Sequence, residues 1–383
     1  MRLDPPAAAP KRVLFVANGN GEDSMAAEIV RRLPEGFAPE AYPVVGDGRA
    51  YDGLCPIVGP RANVPSEGWR HAKGSVARDL RGGMLMGVPP AVRFLKRRRG
   101  AQDKVVAVGD MVVPVLCLLA GLKIDIYLDV FKSGHSHRYS AAEKWVLGRV
   151  ARKTFNRDDM LAASLRRVGM DAVSAGNVML DTVPRGSYDM ASRRAHPFAV
   201  TLMPGSREWT GDSLGLQVAA LERLPKDLVP DVFLALAGGL DPARLAKETG
   251  LAFAPPETGA PGDAGTLSGT GLVLHLARGV AGNLIEGSDL VLSQAGTGTQ
   301  QALGLGKPVI TFDRAGNRRK RMRDEQALMG EARRLMPEDA DAVAAEMARL
   351  LRDPVLRARL GEIGKQRLGG PGTIPAVIAE LRK

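Results

Sequence analysis

Cysteine is nearly absent from the sequence, with only Cys55 and Cys117 among 383 residues. Two cysteines that lie so far apart argue against a disulfide framework and against a cysteine-bound zinc ion. We therefore expect a protein of a reducing compartment, the cytoplasm.

Long apolar runs are missing as well. A helix that spans a bilayer needs about 20 apolar residues in succession. The nearest approach, residues 105–122, is interrupted by Asp110 and Pro114, and the N-terminal "MRLDPPAAAPKR" lacks the apolar centre of a signal peptide. The sequence therefore predicts neither a transmembrane helix nor secretion.

Aromatic residues make up only 4% of the chain, which leaves few surfaces on which single-stranded nucleic acid could stack. The formal net charge of +11 attracts phosphates, nucleic acid and anionic membranes alike, so it does not choose among them. We expect no nucleic-acid partner.

Short apolar runs do occur, in regular alternation with helical patterns. In the first half they are "RVLFVA", "KVVAVG", "KIDIYLD" and "RKTFN", and in the second half "FAVTLMPGSR", "DVFLALAGG", "GLVLHLA", "SDLVLSQAG" and "KPVITF". Nearly continuous apolar strands separated by helices indicate parallel sheets covered on both faces. The fold class predicted is α/β, with two Rossmann-like, doubly wound domains that face a central cleft.

Chain length supports two domains, because a single hydrophobic core stops growing below 383 residues. The strand pattern restarts after a polar stretch, which places the boundary near Tyr188. We expect an N-terminal domain over residues 1–187, a C-terminal domain over 188–370, and a last helix, 371–383, that packs back on the first domain. The segment 254–271, rich in Gly and Pro, is predicted to be an exposed loop.

The first candidate site is "ANGNGED", residues 17–23, between a strand and a helix. Such a loop presents backbone N–H groups and the positive end of a helix dipole, and glycines allow a ligand to approach. Gly19 and Gly21 lack the third glycine of the G-x-G-x-x-G motif, which disfavours a nicotinamide cofactor. Glu22 and Asp23 can be catalytic acids, or they can simply favour the start of the helix.

Two further loops follow predicted strands in the second half. In "MPGSREW", Gly205 and Ser206 can donate hydrogen bonds to phosphate, and Arg207 adds a charged, bidentate donor. In "QAGTGTQQ", backbone amides and two hydroxyls of residues 296–299 can surround a diphosphate, and the helix that begins there points its dipole at the same anion. The second loop is the stronger signal.

The motifs "SDLVLSQAGTGTQQALGLGKPVI", "MPGSR" and "SAGNVMLD" resemble, in order and spacing, those of lipid A disaccharide synthase and related glycosyltransferases of the two-domain GT-B class. The resemblance covers most of the chain. It is most similar to the branch described only as lipid A disaccharide synthase-related, whose first loop is also of the N-G-x-G-E-D type.

The resemblance implies roles for individual residues. The family's loop on the donor diphosphate falls on Gly296, Thr297, Gly298 and Thr299, and its Pro-Gly-Ser-Arg motif falls on residues 204–207. The acidic residue that holds the nucleotide ribose is replaced by Gln301, which accepts hydrogen bonds less strongly than a carboxylate.

In the acceptor half, family aspartates fall on Asp23 and Asp110. We expect the catalytic base among Asp110, Glu22 and Asp23, in that order of preference for the first two. Asn18, Gly19, Gly21 and His135 are predicted to contact the acceptor.

Other groups have simpler interpretations. Asp339 and Asp341 form an Asp-x-Asp triplet, but they sit where an amphipathic helix starts, which favours helix capping. His135 and His137 lack an evident third ligand, which favours a polar loop over a metal site. We expect that no metal or other cofactor is required.

The segment "RDLRGGMLMGVPPAVRFLKRRRG", residues 78–100, joins apolar residues to a basic run. It fits docking on an anionic membrane, and it fits equally a helix packed on its own domain with a solvated basic end.

The predicted function is metal-independent, inverting transfer of a sugar from a nucleotide diphosphate, expected to be a UDP-sugar, to a lipid-linked or membrane-proximal acceptor. Two alternatives are a UDP-N-acetylglucosamine 2-epimerase and a non-enzymatic polyanion-binding protein.

Overall fold

The computed structural model describes residues 9–61, 84–205, 209–257, 259–269, 271–314 and 319–383. The chain forms two compact units, one made of Met1–Thr182 with Pro371–Lys383 and the other of Val183–Gly370. The first unit thus ends between residues 182 and 183, whereas the sequence predicts the boundary between 187 and 188.

The first unit contains a six-stranded sheet in the order β2-β1-β3-β4-β5-β6, in which all neighbours pair in parallel. Its strands are β1 (Lys11–Ala17), β2 (Phe37–Pro43), β3 (Lys104–Gly109), β4 (Ile124–Asp129), β5 (Ala151–Asn156) and β6 (Asp171–Ser174). Its helices in the same part of the chain are α1 (Asn20–Arg31), α2 (Met84–Arg97), α3 (Val112–Ala120), α4 (Ala141–Val150), α5 (Asp159–Arg166) and α6 (Val178–Asp181).

Helices cover both faces of this sheet, which explains why β1 and β3 are apolar at almost every position. Leu14 and Val16 pack on one face with Leu116 of α3, and Val13 and Phe15 pack on the other face with residues of α1. Burial of both faces gives a parallel sheet its continuous apolar strands. The predicted strands of the first half are confirmed, while β2 and β6 are additions.

The second unit contains an eight-stranded sheet in the order β14-β13-β12-β7-β8-β11-β10-β9. Its strands are β7 (Ala199–Met203), β8 (Asp231–Leu236), β9 (Ala252–Ala254), β10 (Asp263–Gly269), β11 (Leu272–Arg278), β12 (Leu290–Ser293), β13 (Val309–Asp313) and β14 (Arg333–Pro337). Its helices are α7 (Thr210–Glu222), α8 (Pro242–Thr249), α9 (Ala281–Gly287), α10 (Gly296–Gly304), α11 (Arg319–Met329), α12 (Ala340–Arg352) and α13 (Pro354–Leu368).

One prediction for this unit is wrong. Segment 254–271 is not simply a loop, because β10 lies within it and pairs antiparallel with both β9 and β11. The hydrogen-bonding needs of the backbone are met by this ladder despite the glycines and prolines around it. The remaining neighbours in the sheet pair in parallel.

The last helix, α14 (Thr373–Arg382), belongs to the first unit although it follows the second in sequence. Ile374, Val377 and Leu381 are fully buried in the core that α1 shares with β1 and β3. The carboxylate of Asp181 accepts the N–H groups of Gly372 and Ile374 at 2.7 and 2.9 Å, which fixes the start of this helix.

Candidate functional site

The loop after β1 is open at the start of α1. Gly19 precedes the helix with φ 142°, a backbone conformation that favours glycine, and its carbonyl accepts the N–H of Asp23 at 2.8 Å. Gly21 is exposed, and a Cβ atom placed there would meet nothing within 4 Å. A ligand can therefore approach the first turn of α1 from this side.

Glu22 lies against the end of the neighbouring strand. A Cβ atom placed at Gly109, the last residue of β3, would be 3.1 Å from Glu22 Cγ. Because β1 pairs with β3, the two strands end at the same edge of the sheet. The side chain of Glu22, which is half-buried, thus reaches the position where Asp110 follows β3.

One carboxylate oxygen of Asp110 is held by hydrogen bonds within the protein, and the other can contact a ligand. Its Oδ1 accepts the backbone N–H of Val112 at 2.9 Å and the side-chain amide of Asn18 at 3.2 Å. Its Oδ2 has no hydrogen-bond partner within the part of the chain that the structure describes. The structure therefore brings together Asn18, Glu22 and Asp110, three of the residues predicted for the acceptor half.

Asp23 takes a different position from its neighbour Glu22. It is 1% exposed, and its Oδ1 accepts the hydroxyl of Tyr51 at 3.3 Å. Its Oδ2 is buried and has no hydrogen-bond partner among the residues described. Burial raises the pKa of Asp23 to about 7, the Tyr51 hydrogen bond opposes that rise, and the nearby charges of Glu22 and Asp47 add to it.

A second buried acid holds the loop that contains the histidines. Asp129, at the end of β4, accepts the N–H groups of Phe131 and Lys132, both at 2.8 Å, and the hydroxyl of Tyr139. Burial raises the pKa of Asp129, while the hydrogen bonds oppose the rise. Neither Asp129 nor Tyr139 was predicted as a site residue from the sequence, although Asp129 ends a predicted strand.

The histidine loop itself has a fixed backbone. Asp158 accepts the N–H of Gly134 at 2.9 Å, the Ser133 hydroxyl accepts the N–H of His135 at 3.2 Å, and His137 has a left-handed φ of 55°. His135 is half-buried in this loop. Its predicted contact with an acceptor stays a prediction.

In the second unit, the ends of β7 and β12 meet. A Cβ atom at Gly205 would lie 3.7 Å from the carbonyl oxygen of Gln294, and the N–H of Gln294 donates to Met203 at 2.8 Å. Ser206 and Arg207, the other two predicted phosphate ligands of this loop, lie outside the described residues.

In the motif at the start of α10, residues 296–299, the first two residues are exposed and the last two are buried. Gly296 and Thr297 are exposed, and the residue before the helix, Ala295, gives it no side-chain cap. Gly298 and Thr299 are buried: a Cβ atom on Gly298 would be 2.6 Å from Met203 Cε, and the Thr299 hydroxyl donates to Ser293 Oγ at 2.7 Å. Only the first half is therefore accessible to a ligand, while the second half shapes the loop.

Uncapped N–H groups at a helix start bind anions. The exposed first turn of α10 is such a place, at the carboxyl edge of parallel strands. Gln301, predicted to contact a ribose, is 9% exposed, so it presents little surface to a ligand.

The Asp-x-Asp triplet lies at the start of α12, where its first aspartate caps the helix as predicted. The carboxylate of Asp339 accepts the N–H of Ala342 at 2.8 Å, and Asp341 forms an ion pair with Arg223 at 2.8 Å. In the described ranges, no three His, Cys, Asp or Glu residues are grouped so that they could hold a metal ion. No described helix has the length and apolar character needed to cross a membrane.

No protein-family model and no curated protein matches the sequence. Solved structures similar to the whole chain include a putative UDP-N-acetylglucosamine 2-epimerase from Listeria monocytogenes, with 15% identity, a TM-score of 0.57, and coverage of 98% of this chain and 96% of that one. MurG from Acinetobacter baumannii has 14% identity and a TM-score of 0.55, with coverage of 97% and 99%.

The glycosyltransferase SnogD from Streptomyces nogalater has 18% identity and a TM-score of 0.53, with coverage of 96% of this chain and 99% of that chain. At these identities the similarity is one of fold. Together with the two Rossmann-like units described above, it confirms the predicted fold class: the chain has the GT-B fold.

Proposed function

We propose that the protein transfers a sugar from a UDP-linked donor to the hydroxyl of a lipid-linked or membrane-proximal acceptor, with inversion and without a metal. The exposed, uncapped start of α10 at Gly296 and Thr297 is the observation that carries this proposal. The donor diphosphate would lie there, with Gly205, Ser206 and Arg207 as further ligands. Similar structures whose names include a UDP-N-acetylglucosamine enzyme and a glycosyltransferase support this choice of substrate class.

The first unit would supply the base. A carboxylate takes the proton of the acceptor hydroxyl, the hydroxyl oxygen attacks the anomeric carbon, and the bond from that carbon to the diphosphate oxygen breaks. The electron pair leaves with the diphosphate, and the α10 amides and Arg207 stabilise the charge that develops. Asp110 is the preferred base because one of its carboxylate oxygens is available, and Glu22 is second.

The donor site is tested by comparing two threonines of one motif. Thr297→Val combined with Arg207→Ala should weaken UDP binding at least tenfold, about 1.4 kcal/mol. Thr297→Val alone should leave the melting temperature unchanged, because Thr297 is exposed. Thr299→Val should lower stability by about 1–3 kcal/mol, because it removes a buried hydrogen bond to Ser293. Calorimetry with UDP that shows equal affinities for the wild type and the double variant would refute the donor site.

Product analysis separates the alternatives. A transferase joins the sugar of UDP-N-acetylglucosamine to an acceptor with its configuration at C2 unchanged, whereas an epimerase inverts C2 and needs no acceptor. The similarity to an epimerase structure makes this second outcome worth testing directly. Binding of nucleic acid that weakens steeply with salt, with no binding of nucleotide sugars, would instead support a polyanion-binding protein.

A surface of the first unit fits the membrane part of the proposal. Leu119 on α3 and Trp145 on α4 are 60% and 53% exposed, and the guanidinium of Arg149 lies 4.4 Å from the centre of the Trp145 ring. Lys123 donates to the carbonyl of Arg149, and Arg99 lies beside Gly121 at the end of α3. We call this set, Arg99, Leu119, Lys123, Trp145 and Arg149, the apolar–basic surface.

In the segment predicted to dock on the membrane, residues 78–100, several of the described side chains pack against the core of the first unit. Ala91 and Leu95 of α2 are buried in the core, and Val88 packs against it. The side chains of Met84, Leu85 and Met86 lie outside the described part of the structure. Exposed cations at Lys96, Arg97 and Arg99 remain available to anionic headgroups.

We expect the apolar–basic surface to bind anionic membranes peripherally, on the cytoplasmic face. Leu119→Ser with Trp145→Ser should reduce sedimentation with liposomes of anionic phospholipid at least fivefold, about 1 kcal/mol, because two apolar side chains no longer enter the interface. A matched control is Val273→Ser with Val355→Ser, since these exposed residues, 50% and 77%, belong to the other unit. Equal sedimentation of all three proteins would count against a membrane role for this surface.

A further inference from the structure

Trp209 is an exposed aromatic residue at the carboxyl edge of the second sheet. It directly precedes α7, the helix that follows β7, and it is 60% exposed. An indole that exposes most of its surface to water gains much less from the hydrophobic effect than a buried indole does. Its position is nevertheless fixed by several contacts.

The backbone of Trp209 is held by α7 and by the loop after β13. Its carbonyl accepts the N–H and the hydroxyl of Ser213 at 3.0 and 2.8 Å, and a guanidinium N–H of Arg314 at 3.5 Å. The guanidinium carbon of Arg314 lies 5.6 Å from the centre of the Trp209 ring and 5.7 Å from that of Phe312. Arg314 is itself fixed by an ion pair with Glu338 at 3.0 Å.

The contact between Trp209 and Arg314 lies across the carboxyl end of β12, the strand that precedes α10. In the sheet, β12 lies between β7 and β13, and the three strands are parallel. Trp209 follows β7 and Arg314 follows β13, while Gln294 at the end of β12 donates to the carbonyl of Phe312 at 2.9 Å. The contact between Trp209 and Arg314 therefore joins the loops on either side of β12, and α10 begins at Gly296, two residues beyond Gln294.

We propose that Trp209 is the surface on which the nucleobase of the donor stacks, with Arg314 holding the indole from behind. The inference rests on the proposed function, because it needs a nucleoside diphosphate at the start of α10. A flat, aromatic base matches the flat face of an indole, and the guanidinium on one face leaves the other face for the ligand. Stacking of this kind gives affinity for the nucleoside and none for the diphosphate alone.

Calorimetry with UDP and with inorganic pyrophosphate separates these two contributions. Trp209→Ala should raise the Kd of UDP about tenfold and leave the Kd of pyrophosphate unchanged, and Trp209→Phe should restore most of the affinity for UDP. Trp145→Ala is the matched control, because Trp145 is similarly exposed and is also paired with an arginine, Arg149, but it lies in the other unit. That control should bind UDP like the wild type.

Fluorescence provides a readout that does not depend on affinity. The chain has three tryptophans, so replacing Trp69 and Trp145 by phenylalanine leaves Trp209 as the sole indole. UDP should change its emission, and pyrophosphate should change it far less.

Each other outcome overturns a defined statement. If the wild type binds no UDP, the proposed function falls and this inference falls with it. If UDP binds but Trp209→Ala leaves its Kd unchanged, only the inference is wrong. Equal loss of UDP and pyrophosphate would show that Trp209 merely supports the loop. A loss confined to UDP-sugars would assign the indole to the sugar rather than to the base.

Discussion

Asp110→Asn is expected to lower turnover about 10²- to 10⁴-fold while UDP affinity stays nearly unchanged. A base that is converted to an amide can no longer accept the proton of the acceptor hydroxyl. The donor site belongs to the other unit, so its affinity for UDP should not depend on this change. Turnover is measured in EDTA and again with Mg²⁺, because the proposed reaction proceeds equally in both.

The asparagine variant is chosen because it can keep the two hydrogen bonds that Asp110 Oδ1 accepts. An amide Oδ1 can still accept the N–H of Val112 and the side chain of Asn18, whereas Asp110→Ala removes both hydrogen bonds. We therefore expect the alanine variant to lose stability and the asparagine variant to keep it. Unchanged turnover of a folded Asp110→Asn would exclude this residue as the base.

Glu22→Gln is the companion measurement, because Glu22 reaches the same strand end from α1. If Asp110 is the base, the glutamine variant should retain turnover within a few-fold of the wild type. The reverse pattern would assign the base to Glu22. If both folded variants remain active, the base is neither residue, and His135 is the next to replace.

Sequence patterns were sufficient for every interior strand except β10, and insufficient for the edge strands β2, β6, β9 and β14. β1 and β3 are buried on both faces, and their apolar runs show it. β2, "FAPEAYP", forms one edge of the first sheet and contains two prolines, which edge strands tolerate because one side needs no ladder hydrogen bonds. β10 pairs antiparallel near the far edge of the second sheet, within a segment whose glycines and prolines suggest a loop.

The candidate site was predictable where it follows a strand and unpredictable where it depends on distant residues. The loop after β1 gave Asn18 and Glu22 directly, and the resemblance to a family gave Asp110, which follows β3. The hydrogen bond between Tyr51 and Asp23 joins residues 28 positions apart, and no local sequence pattern predicts it. Such contacts become visible only when the packing of α1 is known.

The donor motif shows a subtler limit. Thr297 and Thr299 look equivalent in "GTGT", but α10 begins at Gly296, and residues two positions apart in a helix point about 200° away from each other. One hydroxyl therefore remains exposed, and the other is buried against Ser293. Knowledge of the residue at which the helix starts, which sequence patterns give least reliably, decides between the two roles.

Asp23→Asn should make the protein more stable than the wild type at pH 8 and not at pH 3.5. Asp23 has a pKa of about 7 in the folded protein, against an ordinary value of 3.8. The folded state therefore holds a proton that the unfolded chain has released, so stability is lost as pH rises between these two values and is constant above pH 7. The penalty above pH 7 is on the order of 4 kcal/mol.

Asparagine resembles the protonated acid in shape, and its Oδ1 can accept the Tyr51 hydroxyl. At pH 3.5 the two proteins should unfold with similar free energies, and the difference should grow up to about pH 7. Denaturant titrations at several pH values measure this difference directly, with other titrating groups cancelling between the variant and the wild type. A difference that is flat with pH, or that favours the wild type at pH 8, would show that Asp23 is charged without penalty.

Tyr51→Phe supplies the matched test, since the Tyr51 hydrogen bond lowers the pKa of Asp23. Its removal should move the loss of stability to higher pH. A buried carboxyl that costs stability at neutral pH, where an amide would not, is the kind of group that chemistry rather than folding retains. Turnover of Asp23→Asn decides this point: we expect it to fall although the variant is more stable, and full activity of the stabilised variant would mean that Asp23 has no part in the reaction.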